Sequence, residues 1–304
     1  MEQNKPSVSA LIAAFSRGYH ATHDEPKIFD DFLADQLFTP DERTLFEHNL
    51  SEALKFFDPE RADAAPDQAS ALASFVQVQG GPITLSRARY VEDSLEEALK
   101  QGIPQYVILG AGMDTFGFRR PELLNQLQVF ELDHPATQNF KRKRLAELGW
   151  KLPPQLHMLP LDFNHQSLTI ALHDSPYDPN ALTFFSWLGV TYYLSRAVVL
   201  NILREITTLA PTSSSIIFDY LDADAFIPEK AAKRVQLMQQ ATRMSGEPMQ
   251  TGFDPSTLSA ELSNIGWRLK ENLTPTDIQQ RFFSGRTDGY RAFEHIHFAW
   301  AVIR

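Results

Sequence analysis

Five short apolar segments recur along the middle of the chain and constrain its fold more than any other feature. Stretches with helical periodicity, such as TQNFKRKRLAEL and SRAVVLNILREITTL, lie between them. Alternating strands and helices predict a parallel sheet that is covered by helices on both faces and binds ligands at the carboxyl ends of its strands. The five predicted strands are QYVILG (105–110), QVFELD (128–133), QLHMLPLD (155–162), ALTFFSWL (181–188) and SSIIFDYL (214–221).

The two ends of the chain follow other patterns. Apolar residues at three- and four-residue steps predict that the first part of the chain, 1–85, is a helical N-terminal cap. The sequence Gln-Gly-Gly-Pro at 79–82 predicts a break before a helix that begins at Ser86 and ends near Gly102. Near the C-terminus, WRLKENL and EHIHFAWAVI predict two strands that form an antiparallel hairpin at the sheet edge.

Charge and composition argue against several classes of protein. The 304 residues include 38 acids and 28 bases, and the formal net charge of −10 disfavours a nucleic-acid partner. The chain has no cysteine, which fits a cytoplasmic protein, and no apolar run long enough to predict a membrane partner. His295 and His297 lie two positions apart on a predicted strand, but no third ligand follows at a suitable spacing, so no metal site is predicted.

Three consecutive predicted strands end in residues that suit a nucleoside ligand. The first ends in Gly110-Ala-Gly112, where the absence of side chains lets a ligand approach the backbone. The second ends in Asp133, which follows Gly110 by 23 residues and is placed to accept hydrogen bonds from ribose hydroxyls. Glu131 lies two positions before Asp133, so it is expected on the same face of the strand, but it lies deeper in the strand and is ranked second for this role. The third ends in Asp162, and all three ends are expected to meet at one edge of the sheet.

These segments resemble a known family. In this order, YVILGAGMDTFGFRRP, VFELDHP, LPLDFN and FFSWLGVTYYLS resemble the S-adenosylmethionine-dependent methyltransferases of the leucine carboxyl methyltransferase-like family, and in particular its bacterial small-molecule branch. The resemblance extends upstream to IFDDFLA (28–34) and SRARYVED (86–93) and downstream to TGFDP, so it covers nearly the whole chain.

The resemblance implies an α/β fold, the Rossmann-like class I methyltransferase. Its core over 86–304 would be a mostly parallel seven-stranded sheet with an antiparallel C-terminal edge strand. A helical lid insertion at about 222–253 would fold over the ligand site together with the N-terminal cap. The implied cofactor is S-adenosylmethionine.

The resemblance also implies roles for the residues at the strand ends. Gly110 and Gly112 would let the methionine part of the cofactor pass over the turn. Asp133 would bind the ribose hydroxyls, and Asp162 with the backbone of Phe163 would hold the adenine edge.

An arginine and an aspartate complete the expected cofactor site. Arg87, in SRARYVED, resembles the family's arginine that pairs with the cofactor carboxylate, and such a pair is charge-assisted and orienting. Arg89 is a rival two positions later. Asp114 either approaches the site or caps the following helix.

The chain departs from the family after the fourth predicted strand. Many members have Glu-Gly-x-x-x-Tyr there, whereas this chain has LGVTYYL, so Leu188 stands in the place of the acid. The role of that carboxylate cannot be transferred, and no catalytic residue is assigned. Trp187 is a candidate to line an apolar or aromatic substrate pocket, but core packing is slightly favoured for it. The remaining candidates for the substrate pocket are Ser186, Trp187, Thr191 and Tyr192.

The sequence therefore predicts an S-adenosylmethionine-dependent methyltransferase that O-methylates a small-molecule carboxylate or hydroxyl. A carboxylate is already ionised at neutral pH, so the acid lost at Leu188 favours carboxylates and acidic hydroxyls as acceptors. One alternative is a catalytically inactive regulator that binds S-adenosylmethionine. A less favoured one is an NAD(P)-dependent oxidoreductase, which would need a third glycine after Gly112. The oligomeric state is not predicted.

Overall fold

The computed structural model describes residues 5–304 and is organised around one seven-stranded sheet. The strand order is β3-β2-β1-β4-β5-β7-β6, and β7 runs antiparallel to both of its neighbours while the other pairs are parallel. All five strands predicted from the apolar segments are present. The strands are β1 (Gln105–Leu109), β2 (Gln128–Asp133), β3 (Leu156–Pro160), β4 (Thr183–Trp187), β5 (Ser215–Leu221), β6 (Trp267–Leu273) and β7 (Ile296–Ile303).

The C-terminal hairpin is present, but its two strands are placed differently from the prediction. The C-terminal strand β7 is antiparallel as expected, yet it lies between β5 and β6, so β6 is the edge strand. The physical reason is composition. The apolar IHFAWAVI is buried along most of its length, whereas WRLKENL carries charged side chains that an edge strand can expose to solvent.

Helices cover both faces of this sheet. A short π-helical segment also spans Gln279–Phe283. None of the helices between residues 5 and 304 has the length and apolar character that a bilayer span requires. The helices are α1 (Val8–His23), α2 (Pro40–Phe57), α3 (Pro59–Ala64), α4 (Gln68–Phe75), α5 (Gly81–Lys100), α6 (Phe116–Arg119), α7 (Pro135–Glu147), α8 (Leu168–His173), α9 (Arg196–Leu209), α10 (Lys233–Met244), α11 (Leu258–Ser263) and α12 (Pro275–Ile278).

The predicted break at 79–82 is wrong. Helix α4 continues through another π-helical segment, Val76–Gly80, directly into α5, which begins at Gly81 rather than at Ser86. Pro82 lies in the first turn of α5, where a missing N–H group is tolerated. The expected boundary between cap and core, at residue 85, therefore falls inside a continuous helical run.

Side chains alternate between two apolar cores, one on each face of the sheet. In β1, Tyr106 and Ile108 pack with α1, α2, α4 and α5 on the face that carries the N-terminal helices. Val107 and Leu109 point to the opposite face and pack with α8, α9 and α11. This alternation decides which residues at the strand ends face the N-terminal helices.

Candidate functional site

A cavity of about 950 Å³ lies at the carboxyl ends of the first four strands. Residues from α1, α2, α5 and α10 also form its wall, so it extends between the sheet and the N-terminal helices. Ligands of open α/β sheets bind at this edge. Most of the predicted site residues line the cavity, namely Arg87, Gly110, Gly112, Asp133, Asp162, Phe163, Ser186 and Tyr192.

The turn after β1 is fixed by backbone geometry. Gly110 and Gly112 have φ values of +73° and +53°, a region that other residues rarely adopt. The N–H groups of Gly110 and Ala111 both donate to the carbonyl of Leu132, at 2.8 and 3.0 Å, which ties the turn to β2. A Cβ atom on Gly110 would lie 2.2 Å from Cγ2 of Val190. Glycine is thus required at 110 by the packing of the protein itself.

Asp133 occupies the tip of β2. Its carboxylate accepts hydrogen bonds from the N–H groups of Gly112, at 2.5 Å, and His134, at 2.6 Å. Burial raises the pKa of Asp133 to about 6, although these two hydrogen bonds and the charge of Lys141 act in the opposite direction. The carboxylate is therefore held in one orientation at the cavity wall, with lone pairs left to accept from a ligand.

Glu131, the second choice for the same role, is placed elsewhere. Its side chain is 1% exposed and forms an ion pair with Lys141, which is equally buried. Burial raises the pKa of Glu131. Glu131 does not line the cavity, so the structure brings Asp133 rather than Glu131 to the site.

The loop after β3 brings Asp162 and Phe163 beside the tip of β2. The carboxylate of Asp162 accepts from the backbone N–H of Asn164 at 2.9 Å and lies 3.7 Å from Nε2 of His134. The ring of Phe163 packs against that of Trp187, with centroids 5.9 Å apart. The ends of β1, β2 and β3 therefore all line the cavity through Gly110, Asp133 and Asp162, as the sequence predicts.

Arg87 is the predicted cation and lies at the cavity wall. Its Nη1 donates to Oδ2 of Asp219 at 2.9 Å and to the hydroxyl of Tyr192 at 3.1 Å. Burial alone would lower the pKa of Arg87, but Asp219 and Tyr192 raise it above its ordinary value, so the side chain stays charged. Among residues 5–304 no acceptor pairs with its Nε or Nη2. Arg89, the rival, is half-exposed and pairs with Asp93 at 2.7 Å.

Asp219 does not line the cavity but holds Arg87 at its wall, and sequence reasoning missed it. It lies in β5, is fully buried, and accepts from the backbone N–H of Gly189 at 2.6 Å as well as from Arg87. A Cβ atom on Gly189 would lie 2.5 Å from Nη2 of Arg87, which explains the glycine. The sequence does carry a sign of this pairing, because an acid within the buried apolar strand SSIIFDYL needs a charged partner.

A second cation of the cavity, Arg17, was also missed. It extends from α1, and its Nε donates to Asp31 while its Nη2 donates to the carbonyl of Met113, both at 2.8 Å. Asp31 is 1% exposed and also accepts from the hydroxyl of Thr115 at 2.6 Å. The buried acid within IFDDFLA was the available indication that a cation packs beside it.

The predicted substrate-pocket residues Ser186 and Trp187, at the end of β4, point to opposite faces of the sheet. Ser186 faces the N-terminal helices, and its hydroxyl lies 2.8 Å from that of Tyr106. Trp187 points to the opposite face, is fully buried, and does not line the cavity. The pocket role expected for Trp187 is therefore corrected to core packing, because strand alternation directs it away from the cavity. Thr191 is buried and donates to a backbone carbonyl of β5 at 2.6 Å, whereas Leu188 does line the cavity.

Asp114 satisfies both interpretations that the sequence left open. Its Oδ1 accepts from the backbone N–H of Phe116 at 2.6 Å, at the beginning of α6. Asp114 also lines the cavity.

His297 lies in β7, but His295 directly precedes that strand, and a carboxylate that the sequence did not indicate lies beside both histidines. Asp222 lies 2.8 Å from Nδ1 of His295 and 3.5 Å from Nε2 of His297. Nε2 of His295 accepts from the backbone N–H of Ala232, so both of its ring nitrogens are used within the protein. Within residues 5–304 the structure brings together no group of three or more metal-ligating side chains that suits a metal ion.

Comparison with known proteins decides the family. The family model described as leucine carboxyl methyltransferase matches residues 10–207. The chain belongs to the leucine carboxyl methyltransferase family. It is 41% identical over 303 residues to YktD of Bacillus subtilis, named as an S-adenosyl-L-methionine-dependent methyltransferase, and the match covers 99% of each protein. On these comparisons the chain is an S-adenosylmethionine-dependent methyltransferase.

Two further similarities are more distant. A protein of Mycobacterium avium with the same kind of name is 27% identical over 200 residues, which cover 64% of each protein. A crystal structure of a DUF574 family protein from Streptomyces avermitilis covers 99% of this chain and 98% of its own, with a TM-score of 0.61 and 12% identity. This last similarity supports the fold alone.

The cavity fits the cofactor of the family. S-adenosylmethionine carries a carboxylate at one end and ribose hydroxyls nearer the other. The methyltransferase offers the unpaired N–H groups of Arg87 to an anion and the carboxylate of Asp133 to hydroxyl donors. The hydrogen-bond donors of Arg87 and the acceptor oxygens of Asp133 are thus complementary to the carboxylate and the ribose hydroxyls of S-adenosylmethionine.

Proposed function

We propose that this methyltransferase transfers the methyl group to an oxygen of a small molecule, and that the preferred acceptor is a carboxylate. The observation that carries the proposal is the wall at the end of β4. There the cavity is lined by Ser186, Leu188 and Tyr192, none of which is a carboxylate or an imidazole. A carboxylate acceptor is ionised at neutral pH and needs no proton removed, whereas a phenol or an alcohol benefits from a general base.

The hydroxyl groups near this wall support the same acceptor. Burial raises the pKa values of Tyr106 and Tyr192 well above the ordinary value, so both phenols stay protonated at neutral pH. Neutral hydroxyls donate hydrogen bonds and do not abstract protons. We infer that Ser186, paired with Tyr106, orients an acceptor oxygen by donating to it.

The protein's own contribution is to align the reactants and exclude water. When bound, S-adenosylmethionine supplies a methyl group that its sulfonium already makes electrophilic. In this proposal Arg87 orients the cofactor carboxylate and Asp133 the ribose hydroxyls. The Gly110 and Gly112 turn gives the methionine part room to pass. Asp162 and the backbone of Phe163 hold the adenine edge.

We also infer that 1–85 and 222–253 act as a cap and a lid over a core of 86–304. The N–H of Ser9, in α1, donates to Oε2 of Glu247 at 3.1 Å, so the cap touches the lid segment. The hydroxyl of Tyr193 donates to that of Ser9 at 3.2 Å, which joins both to the loop after β4. Met238 of α10 lines the cavity. These contacts support a cover that excludes water during methyl transfer.

The proposal is tested by methyl transfer from S-adenosylmethionine labelled in its methyl group. Small aliphatic and aromatic carboxylic acids are compared with matched phenols and amines, and each product is treated with base. A methyl ester releases its label as methanol under base, whereas an aryl ether or an N-methyl product keeps it. We expect base-labile product from the acids and a rate without a titration near neutral pH.

Two results would contradict the proposal. Base-stable product formed mainly from the phenols or amines would contradict the carboxylate acceptor. Binding of S-adenosylhomocysteine without transfer to any member of the panel would favour the catalytically inactive regulator.

A further inference from the structure

The cavity continues away from the predicted cofactor residues into the N-terminal helices. We define the cap pocket as the part of the cavity that is lined by apolar side chains of α1, α2, α4 and α5, although Arg17 of α1 and Thr84 of α5 also line the cavity. An apolar wall of this kind suits the hydrocarbon part of a small ligand. The cap pocket is lined by Ile12, Leu50, Ala53, Phe57, Phe75 and Ile83.

Gln79 is a polar side chain without a hydrogen-bond partner beside these apolar residues. Gln79 lines the cavity and is only 9% exposed, and its amide nitrogen and oxygen have no hydrogen-bond partner among the described residues. Both atoms are themselves buried, so a ligand in the cavity reaches them after the Gln79 side chain rotates. A buried amide without partners carries a free-energy cost that a ligand group would relieve. Gln79 also lies in the π-helical segment Val76–Gly80, and π-helical turns occur often at functional sites.

Gln79 and the predicted cofactor arginine share one face of the helical run. Gln79, Ile83 and Arg87 follow at four-residue steps, and all three line the cavity. At 1.5 Å per residue, Gln79 lies roughly 12 Å from Arg87 along the helix axis. A ligand that extends from Arg87 to Gln79 therefore passes the apolar side chain of Ile83.

We propose that Gln79 binds the methyl acceptor at the end away from the reacting oxygen. The acceptor class follows from the wall: a carboxylic acid with an apolar alkyl or aryl body and an uncharged hydrogen-bonding group, such as an amide, at its far end. The reacting carboxylate lies at the Ser186 end, the body in the cap pocket, and the far group on the amide of Gln79. This assignment of the substrate class rests on the proposed function.

The test uses two acids of matched length. Suberic acid monoamide carries a terminal amide, and nonanoic acid replaces that amide with an alkyl end. Binding of each is measured by calorimetry on protein saturated with S-adenosylhomocysteine, for the wild type, Gln79→Leu and Gln77→Leu. Gln77 is a matched control because it lies in the same π-helical segment but does not line the cavity.

We expect the wild type and Gln77→Leu to bind the monoamide roughly tenfold more tightly than nonanoic acid, the usual effect of satisfying a buried hydrogen-bonding group. Gln79→Leu should lose this preference while it binds nonanoic acid at least as tightly. All three proteins should bind S-adenosylhomocysteine with equal affinity within about twofold, which shows that the fold and the cofactor site are intact.

The possible results separate this inference from the proposed function. Failure of the wild type to bind either acid, or an unchanged preference in Gln79→Leu, would overturn the inference. Methyl transfer to acids at equal rates in the wild type and Gln79→Leu would also overturn it and leave the proposed function standing. Binding with the expected preference but without transfer would support Gln79 as the ligand-binding residue and contradict the proposed function.

Discussion

Two parts of one cavity are built in different ways. The cofactor wall consists of the tip of β2 and the loops after β1 and β3, and each of its residues ends a strand or lies just beyond the end of one. The acceptor wall consists of the cap pocket and the end of β4, and its residues come from helices and a strand that are far apart in the chain. The cofactor wall contains Gly110, Gly112, Asp133 and Asp162, and the acceptor wall contains Phe57, Gln79, Ile83 and Ser186.

The difference shows which kinds of site a sequence can reveal. In the cofactor wall, the N–H groups of Gly112 and His134 hold Asp133 in place, so short motifs carry the whole arrangement. The acceptor wall exists only after α1, α2 and α5 have packed on the sheet. Motifs therefore predict the ligand at the first wall, whereas the ligand at the second must be inferred from the folded structure.

The largest expected effect is at Arg87, the cation of α5 that pairs with Asp219 of β5 at the edge of the cavity. Arg87→Met should weaken S-adenosylhomocysteine binding by roughly 100-fold and lower the free energy of unfolding by about 3 kcal/mol, because Asp219 is left buried without its partner. Arg89→Met is the matched control on the same helix, and its exposed pair with Asp93 should change stability by less than about 1 kcal/mol. Calorimetry and urea unfolding measure the two quantities. Equal effects from the two substitutions would contradict the assignment of Arg87.

The second-largest expected effect is on stability, and it tests whether packing within the protein requires glycine at position 110. Gly110→Ala should lower the free energy of unfolding by roughly 3 kcal/mol, from strained φ and from contact with Val190. Gly102→Ala is the control, because Gly102 has a φ of +80° but a Cβ atom there would meet nothing within 4 Å, so about 1 kcal/mol is expected. Urea unfolding of both variants measures the difference. Equal losses would show that close packing at Gly110 adds nothing.

The smallest expected effect is the change in affinity for S-adenosylhomocysteine with pH. Because burial raises the pKa of Asp133 to about 6, its carboxylate is ionised above that pH and protonated below it. Ribose hydroxyls donate more strongly to the ionised form, so the affinity for S-adenosylhomocysteine should fall roughly fivefold between about pH 7.5 and pH 5. Asp133→Asn should bind more weakly at the higher pH and lose this pH dependence, as measured by calorimetry. A pH dependence that persists in Asp133→Asn would assign it to another group.

The sequence predicted the strands and the cofactor wall because both depend on local pattern. Apolar runs located all five parallel strands, and strand ends located Asp133 and Asp162. Asp219 and Arg17 were missed because their contacts with Arg87 and with the carbonyl of Met113 join segments that are far apart in the chain. Trp187 was misplaced because an apolar strand buried on both faces does not show which face meets the cavity.

The N-terminal helical run shows a further limit. Gly80, Gly81 and Pro82 favour a break by local preference, yet packing keeps the chain helical through them. A Cβ atom on Gly81 would lie 2.6 Å from the ring of Tyr290, so the glycine serves close packing rather than a turn. Gln79 occupies its place in the cap pocket because of this continuity.

We propose that S-adenosylmethionine binds in the cavity through the cofactor wall. Titration of S-adenosylhomocysteine and, separately, of NAD into the wild-type protein near neutral pH tests this proposal. We expect one S-adenosylhomocysteine site per chain with a dissociation constant in the range of ~1–100 µM and no heat of binding with NAD. Binding of NAD at one site per chain, with none for S-adenosylhomocysteine, would contradict the account.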